Sequence, residues 1–105
     1  MDRIANVFYN GHRAGTLTQT EEKQYRFQYD SDYLAYGAPL AFRLPLQREE
    51  FRSDILFPFF ENLASEGWLK QIQSSQQKID ERDAFSLLIH NGDDLIGAVT
   101  LKDGT

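Results

Sequence analysis

The sequence predicts an α+β domain: a mainly antiparallel sheet, made of an N-terminal meander plus a C-terminal strand, with about three short helices packed on it. Three observations carry this expectation. Residues 4–30 are rich in β-favouring and alternating residues around an Asn10-Gly11 pair, hydrophobic spacing changes from two to three or four after residue 53, and an apolar run returns at Leu95–Leu101. Strands, then helices, then a strand imply helices laid on one sheet face.

Ile4 to Tyr9 form the first expected strand, and Asn10-Gly11 accept the positive φ angles of a tight type I′ hairpin turn. His12 to Thr18 return, with Gly15 marking a bulge or a close backbone approach. Tyr25, Phe27 and Tyr29 alternate with Arg26, Gln28 and Asp30, which puts three rings on one face. Ser31 to Pro39 fit a helical turn inside a loop. Leu40, Phe42, Leu44 and Leu46 alternate with polar or small residues, predicting another strand that lies at an edge, bends or ends at Pro45.

After Ser53, a candidate cap, Asp54 suits a helix N-terminus, and Ile55, Leu56, Phe59, Phe60 and Leu63 form an amphipathic stripe. Pro58 either delays that helix or distorts its first turn. Ser65 caps a second expected helix through residue 75, and Asp83 a third that stops at Asn91-Gly92. Leu95–Leu101, apolar on both faces, suits a central strand.

The 105 residues read as one domain, 1–105, large enough to bury a core without metal or disulfide support. With no cysteine, the chain suits a reducing compartment. No signal-like or membrane-spanning run occurs, so the expected location is the cytoplasm. Eleven Lys and Arg against sixteen Asp and Glu give a net charge of −5, which repels phosphate backbones; no direct nucleic-acid binding and no membrane partner are expected.

No catalytic, cofactor-binding or metal-binding residue is assigned, because catalysis needs a nucleophile, base or metal with partners. His12 and His90 stand apart, and His90 is more simply a helix-end residue favoured by the dipole. The carboxylate pairs Glu21-Glu22, Glu49-Glu50, Asp80-Glu81 and Asp93-Asp94 lie in polar stretches and read as solvated loop charges. Tyr25, Phe27 and Tyr29 could stack RNA bases, but the charge has the wrong sign and a sheet covered by helices needs those rings as core.

Trp68 carries two readings. It packs its helix on the core beside Leu69 and Ile72, or, since Gly67 disfavours helix by up to ~1 kcal/mol relative to alanine, it points outward as an interface anchor.

In order, "VFYNGHRAGTLT", "YRFQYDSDYLA", "PLAFRLPLQRE", "SDILFPFFENLASEGWL", "DAFSLLIHNGDD" and "IGAVTL" resemble the N-terminal subdomain 1 of HipA-type serine/threonine kinases, from about Ile4 to Leu101. The kinase body that carries that family's active-site residues has no counterpart in these blocks. A free-standing version is similar to the HipS antitoxins of HipBST toxin-antitoxin systems. That resemblance implies an antitoxin, not an enzyme, that docks on a separately encoded HipT-like kinase and obstructs its active site. A HipB-like DNA-binding protein would be a further member of a ternary complex. The resemblance places the kinase-interaction segment at Ser65, Glu66, Gly67, Trp68 and Leu69, with Trp68 as an apolar wedge. Many HipA sequences have a proline-containing segment there, so Gly67-Trp68 departs from the family pattern. The alternative is that the chain is a structural subdomain that supports a HipA-type catalytic body without inhibiting it.

Overall fold

The computed structural model describes residues 2–64, 84–90 and 98–104. Its elements are β1 (Arg3–Tyr9), β2 (His12–Gln19), β3 (Tyr25–Tyr29), α1 (Ser31–Leu34), β4 (Phe51–Ser53), α2 (residues 58–64), α3 (Ala84–His90) and β5 (Val99–Asp103). The strands form one antiparallel sheet in the order β4-β3-β2-β1-β5. Two of the three expected helices fall on described residues, as α2 and α3. The one expected at 65–75 lies outside them, and α1 adds the single turn after Asp30.

The meander follows from local chemistry. Asn10 and Gly11 take φ values of 51° and 83°, the pair of left-handed residues that a type I′ hairpin requires. Between Val7 and Phe8 the pairing skips Ala14, so β2 carries a bulge beside Gly15. Gly15 has a second reason to be glycine: a Cβ there would stand 2.3 Å from the Gln28 carbonyl oxygen and 3.1 Å from Cζ of Phe27.

One face of the sheet is the core. Ala5, Val7, Leu17, Phe27, Tyr29, Val99 and Leu101 are all buried on it. Phe27 lies at the centre, its ring 4.9 Å from Tyr29, 5.5 Å from Phe60 of α2 and 6.3 Å from Phe51 of β4. Phe60 and Leu63 of α2 and Phe85 and Leu88 of α3 complete the same cluster. Each such side chain contributes roughly 1.5–3 kcal/mol through loss of apolar surface to water. Asn6, Thr16, Thr18 and Gln28 point to the other face, which is half-buried or exposed. The RNA-stacking option for Tyr25, Phe27 and Tyr29 is thereby answered: Phe27 and Tyr29 are buried and Tyr25 packs on the core.

Four expectations need correction. Residues 40–47 are not a strand: Ala41 and Leu44 form an isolated bridge around a tight turn, which sends Phe42 outward while Leu40 and Leu44 go inward. The edge strand is instead Phe51–Ser53, so Ser53 ends β4 rather than capping a helix; its Oγ accepts from the Ile55 N–H at 3.2 Å. Of the two options for Pro58 the delayed start holds: the helix begins at Pro58, the first-turn position where a missing N–H costs nothing, with the Phe57 carbonyl accepting from Phe60 and Glu61. Ile55, before that start, is exposed rather than part of the buried stripe. Finally, among the described residues β5 pairs with β1 alone and lies at the sheet edge, not its centre; within the strand Val99 and Leu101 are buried, on one face.

Candidate functional site

The described surface with the most distinctive construction is the turn at Leu40–Leu44, and it is built from β3. Tyr29, the last residue of that strand, turns its side chain into the core beneath the turn. Its hydroxyl accepts from the Leu40 N–H at 3.0 Å and donates to the Leu44 carbonyl, so one phenol bridges both arms. The turn closes with Leu44 N–H donating to the Ala41 carbonyl at 3.0 Å. Neither Phe42 nor Arg43 has positive φ, which fits a type I turn and needs no glycine.

A second tyrosine reinforces the first. Tyr33 of α1 stacks on Tyr29, ring centres 5.8 Å apart and planes 2° from parallel, and donates its hydroxyl to the Ala38 carbonyl at 2.6 Å. Burial pushes both phenols above their ordinary pKa, and for Tyr29 the hydrogen bond donated by the Leu40 N–H opposes that only in part. Both therefore stay neutral through the physiological range and act as fixed hydrogen-bonding struts.

Phe42 stands at the tip of this braced turn and is 98% exposed. Tyr36, also exposed, leans edge-on against Tyr33 and against the ring of His12, at 5.7 and 5.9 Å. Nearby, an open groove of about 920 Å³ runs between α1, the outer face of β2–β3 and the 46–48 segment. Part of its polar wall is already engaged. Arg13 pairs with Asp30 at 3.2 Å and donates to Thr16 Oγ1 at 3.1 Å, and Gln28 donates to the Arg48 carbonyl at 3.1 Å. Glu50 lies between Arg26 and Arg52 at 3.9 and 3.0 Å, exposed pairs of small energetic weight.

The segment expected to carry the interaction, Ser65, Glu66, Gly67, Trp68 and Leu69, lies outside the described residues. In the sequence it follows Leu63 and Ala64 of α2, both buried. His12 is exposed at the start of β2, and His90 is the last residue of α3. No group of three potential metal-binding side chains converges among the described residues. No helix among them is long and apolar enough to cross a membrane.

Sequence reasoning did not single out Phe42 or the bracing role of Tyr29. Alternation of Leu40, Phe42 and Leu44 placed all three on one face. The usable signal was Pro39 and Pro45 flanking the run, since two prolines so close disfavour a continuous ladder.

Residues 5–102 match the family model described as the HipA N-terminal domain. The chain belongs to that family. Its fold matches a solved structure titled as the N-terminal domain of HipA toxin, with a TM-score of 0.76 and 36% identity over 98% of this chain and 93% of that one. An uncharacterised protein of Haemophilus influenzae is 39% identical over 101 residues, 96% of this chain and 92% of that protein. The Sinorhizobium fredii protein named "Putative kinase Y4mE" is 29% identical over 101 residues, but the matched region is only 24% of its length. A region similar to this chain thus makes up nearly the whole of one relative and a minor part of another.

Proposed function

We propose that this chain is a HipS-like antitoxin: it binds a separately encoded HipT-like serine/threonine kinase and neutralises it by docking on it and obstructing the active site. The observation that carries this reading is the pair of coverages just given. The same domain is 92% of the Haemophilus influenzae protein and 24% of the Sinorhizobium fredii one, so it exists apart from, as well as within, a much longer chain. A domain that can be covalently adjacent to a catalytic body keeps, when separate, a surface suited to that body. In this reading its action is steric and stoichiometric, with no chemistry of its own and no cofactor. The Ser65–Trp68 segment supplies the obstruction, Trp68 as an apolar wedge, and Ser65 and Glu66 as hydrogen-bonding or charged partners for basic groups of the nucleotide site. A HipB-like DNA-binding protein joins a ternary complex, and the setting is cytoplasmic.

The second reading, a structural subdomain of a HipA-type kinase, is favoured by the short coverage of the Sinorhizobium fredii protein. Autophosphorylation of the purified HipT-like kinase from the same genome, with and without this chain at equal concentration, separates the two. Suppression is expected, and an unchanged rate removes the antitoxin reading. Trp68→Ala then tests the wedge: normal folding with lost suppression marks an anchor, whereas a collapsed melting temperature marks a core residue.

A further inference from the structure

Phe42 presents an unusual combination of apolar character, near-complete exposure and rigid support. Its side chain is 98% exposed, while its neighbours two residues away on either side, Leu40 and Leu44, are buried. The two arms of the turn are tied to each other through Ala41 and Leu44 and tied to the sheet through the Tyr29 hydroxyl. Tyr29 is itself clamped between Phe27 and Tyr33. A tip held this way loses little conformational freedom when it is covered, and pre-organisation of an aromatic anchor is what raises affinity at a protein interface.

We propose that the Leu40–Leu44 turn is a docking knob, with Phe42 seated in an apolar pocket on the catalytic body of a HipA-type kinase. This rests on the reading above and extends it: Trp68 would obstruct, whereas Phe42 would hold. The occupant is argued from chain length. The matched region is 24% of the Sinorhizobium fredii protein, so the same fold there shares a chain with roughly three times its own mass, and a surface knob on the domain has that body as its available cover. Among the described residues, the bracing of the knob comes from β3 and α1.

The test measures the dissociation constant of this full chain for the purified HipT-like kinase from the same genome by titration calorimetry, beside the melting temperature of each variant. Phe42→Ala is expected to weaken binding about ten-fold or more, at an unchanged melting temperature, as truncation of a central aromatic anchor does. Phe42→Leu, which keeps an apolar knob, is expected to restore most of the affinity. If the wild-type chain binds and Phe42→Ala weakens it less than about five-fold, the knob is refuted while the antitoxin reading stands. If the wild-type chain does not bind, both fall together.

Discussion

Arg3 in the first strand donates from Nη2 to the Oγ of Ser86 in α3 at 2.6 Å, joining residues 83 positions apart. The same guanidinium donates from Nη1 to Oε1 of Gln19 at 3.1 Å and lies 4.8 Å above the centre of the Phe85 ring. Apolar burial of Phe85 and Leu88 holds α3 down, but burial is non-directional; the arginine fixes where along β1 the helix sits.

Arg3→Ala should therefore cost on the order of 1–3 kcal/mol in urea unfolding, from charged hydrogen bonds and the cation–ring contact together. Ser86→Ala should cost less, since the guanidinium keeps Gln19 and Phe85. Hydrogen exchange should rise first at α3 amides in Arg3→Ala. Equal protection in both variants and the wild type would show that packing alone positions the helix.

Tyr29→Phe removes one oxygen and strands two backbone groups, the Leu40 N–H and the Leu44 carbonyl. Buried groups left unpaired cost roughly 1–3 kcal/mol each, partly relieved where water reaches them, so a loss of about 2 kcal/mol is expected. The ring and its stacking on Tyr33 remain, which separates the hydroxyl's share from the packing share.

Alkaline pH should reproduce that loss. Burial raises the pKa of Tyr29 and Tyr33 in the folded state above the ordinary value of 10.0. A raised folded value means the unfolded chain releases its protons first. The contribution is fully present below pH 10 and is lost as pH climbs through and beyond it. Unfolding free energy measured between about pH 8 and 12 should decline above pH 10, and Tyr29→Phe should flatten part of that decline.

Gly15→Ala should destabilise the chain by roughly 1–3 kcal/mol, because the new methyl meets backbone rather than a side chain that can swing away. The Gln28 carbonyl oxygen would be 2.3 Å from it, so β2 and β3 must separate or the bulge must move. Thermal unfolding reads the cost, and unchanged stability would mean the bulge absorbs the methyl.

Where the sequence was legible, a single residue type had a single geometric use. Asn10-Gly11 accept a backbone that few other pairs tolerate, and Gly15 marked both the bulge and the close approach. Tyr25, Phe27 and Tyr29 declared a face because a strand alternates and their neighbours are polar. The failures came where one pattern serves two structures. Leu40-Ala41-Phe42-Arg43-Leu44 alternates as a strand would, yet a two-residue turn also sends Leu40 and Leu44 inward and its two tip residues outward. Ser53 can cap a helix or close an edge strand, and only the pairing of Phe51 with Phe27 decides it. The interaction segment at 65–69 lay in a stretch whose sequence offered two uses for Trp68, and neither Ser65 nor Trp68 falls among the described residues.

The strand order has a bearing on biosynthesis. β1 emerges first from the ribosome, yet one of its two hydrogen-bonded flanks belongs to β5, some ninety residues later. At translation speeds of about 5–20 residues per second, the nascent sheet waits several seconds with that flank bare, and Val7 lacks its neighbour Leu101 throughout. That pairing also closes the longest loop among the described strand pairs, the slowest kind of contact to form. Completion of the domain is thus timed by the release of its last strand, and a ribosome stalled before residue 99 would carry an unfinished sheet.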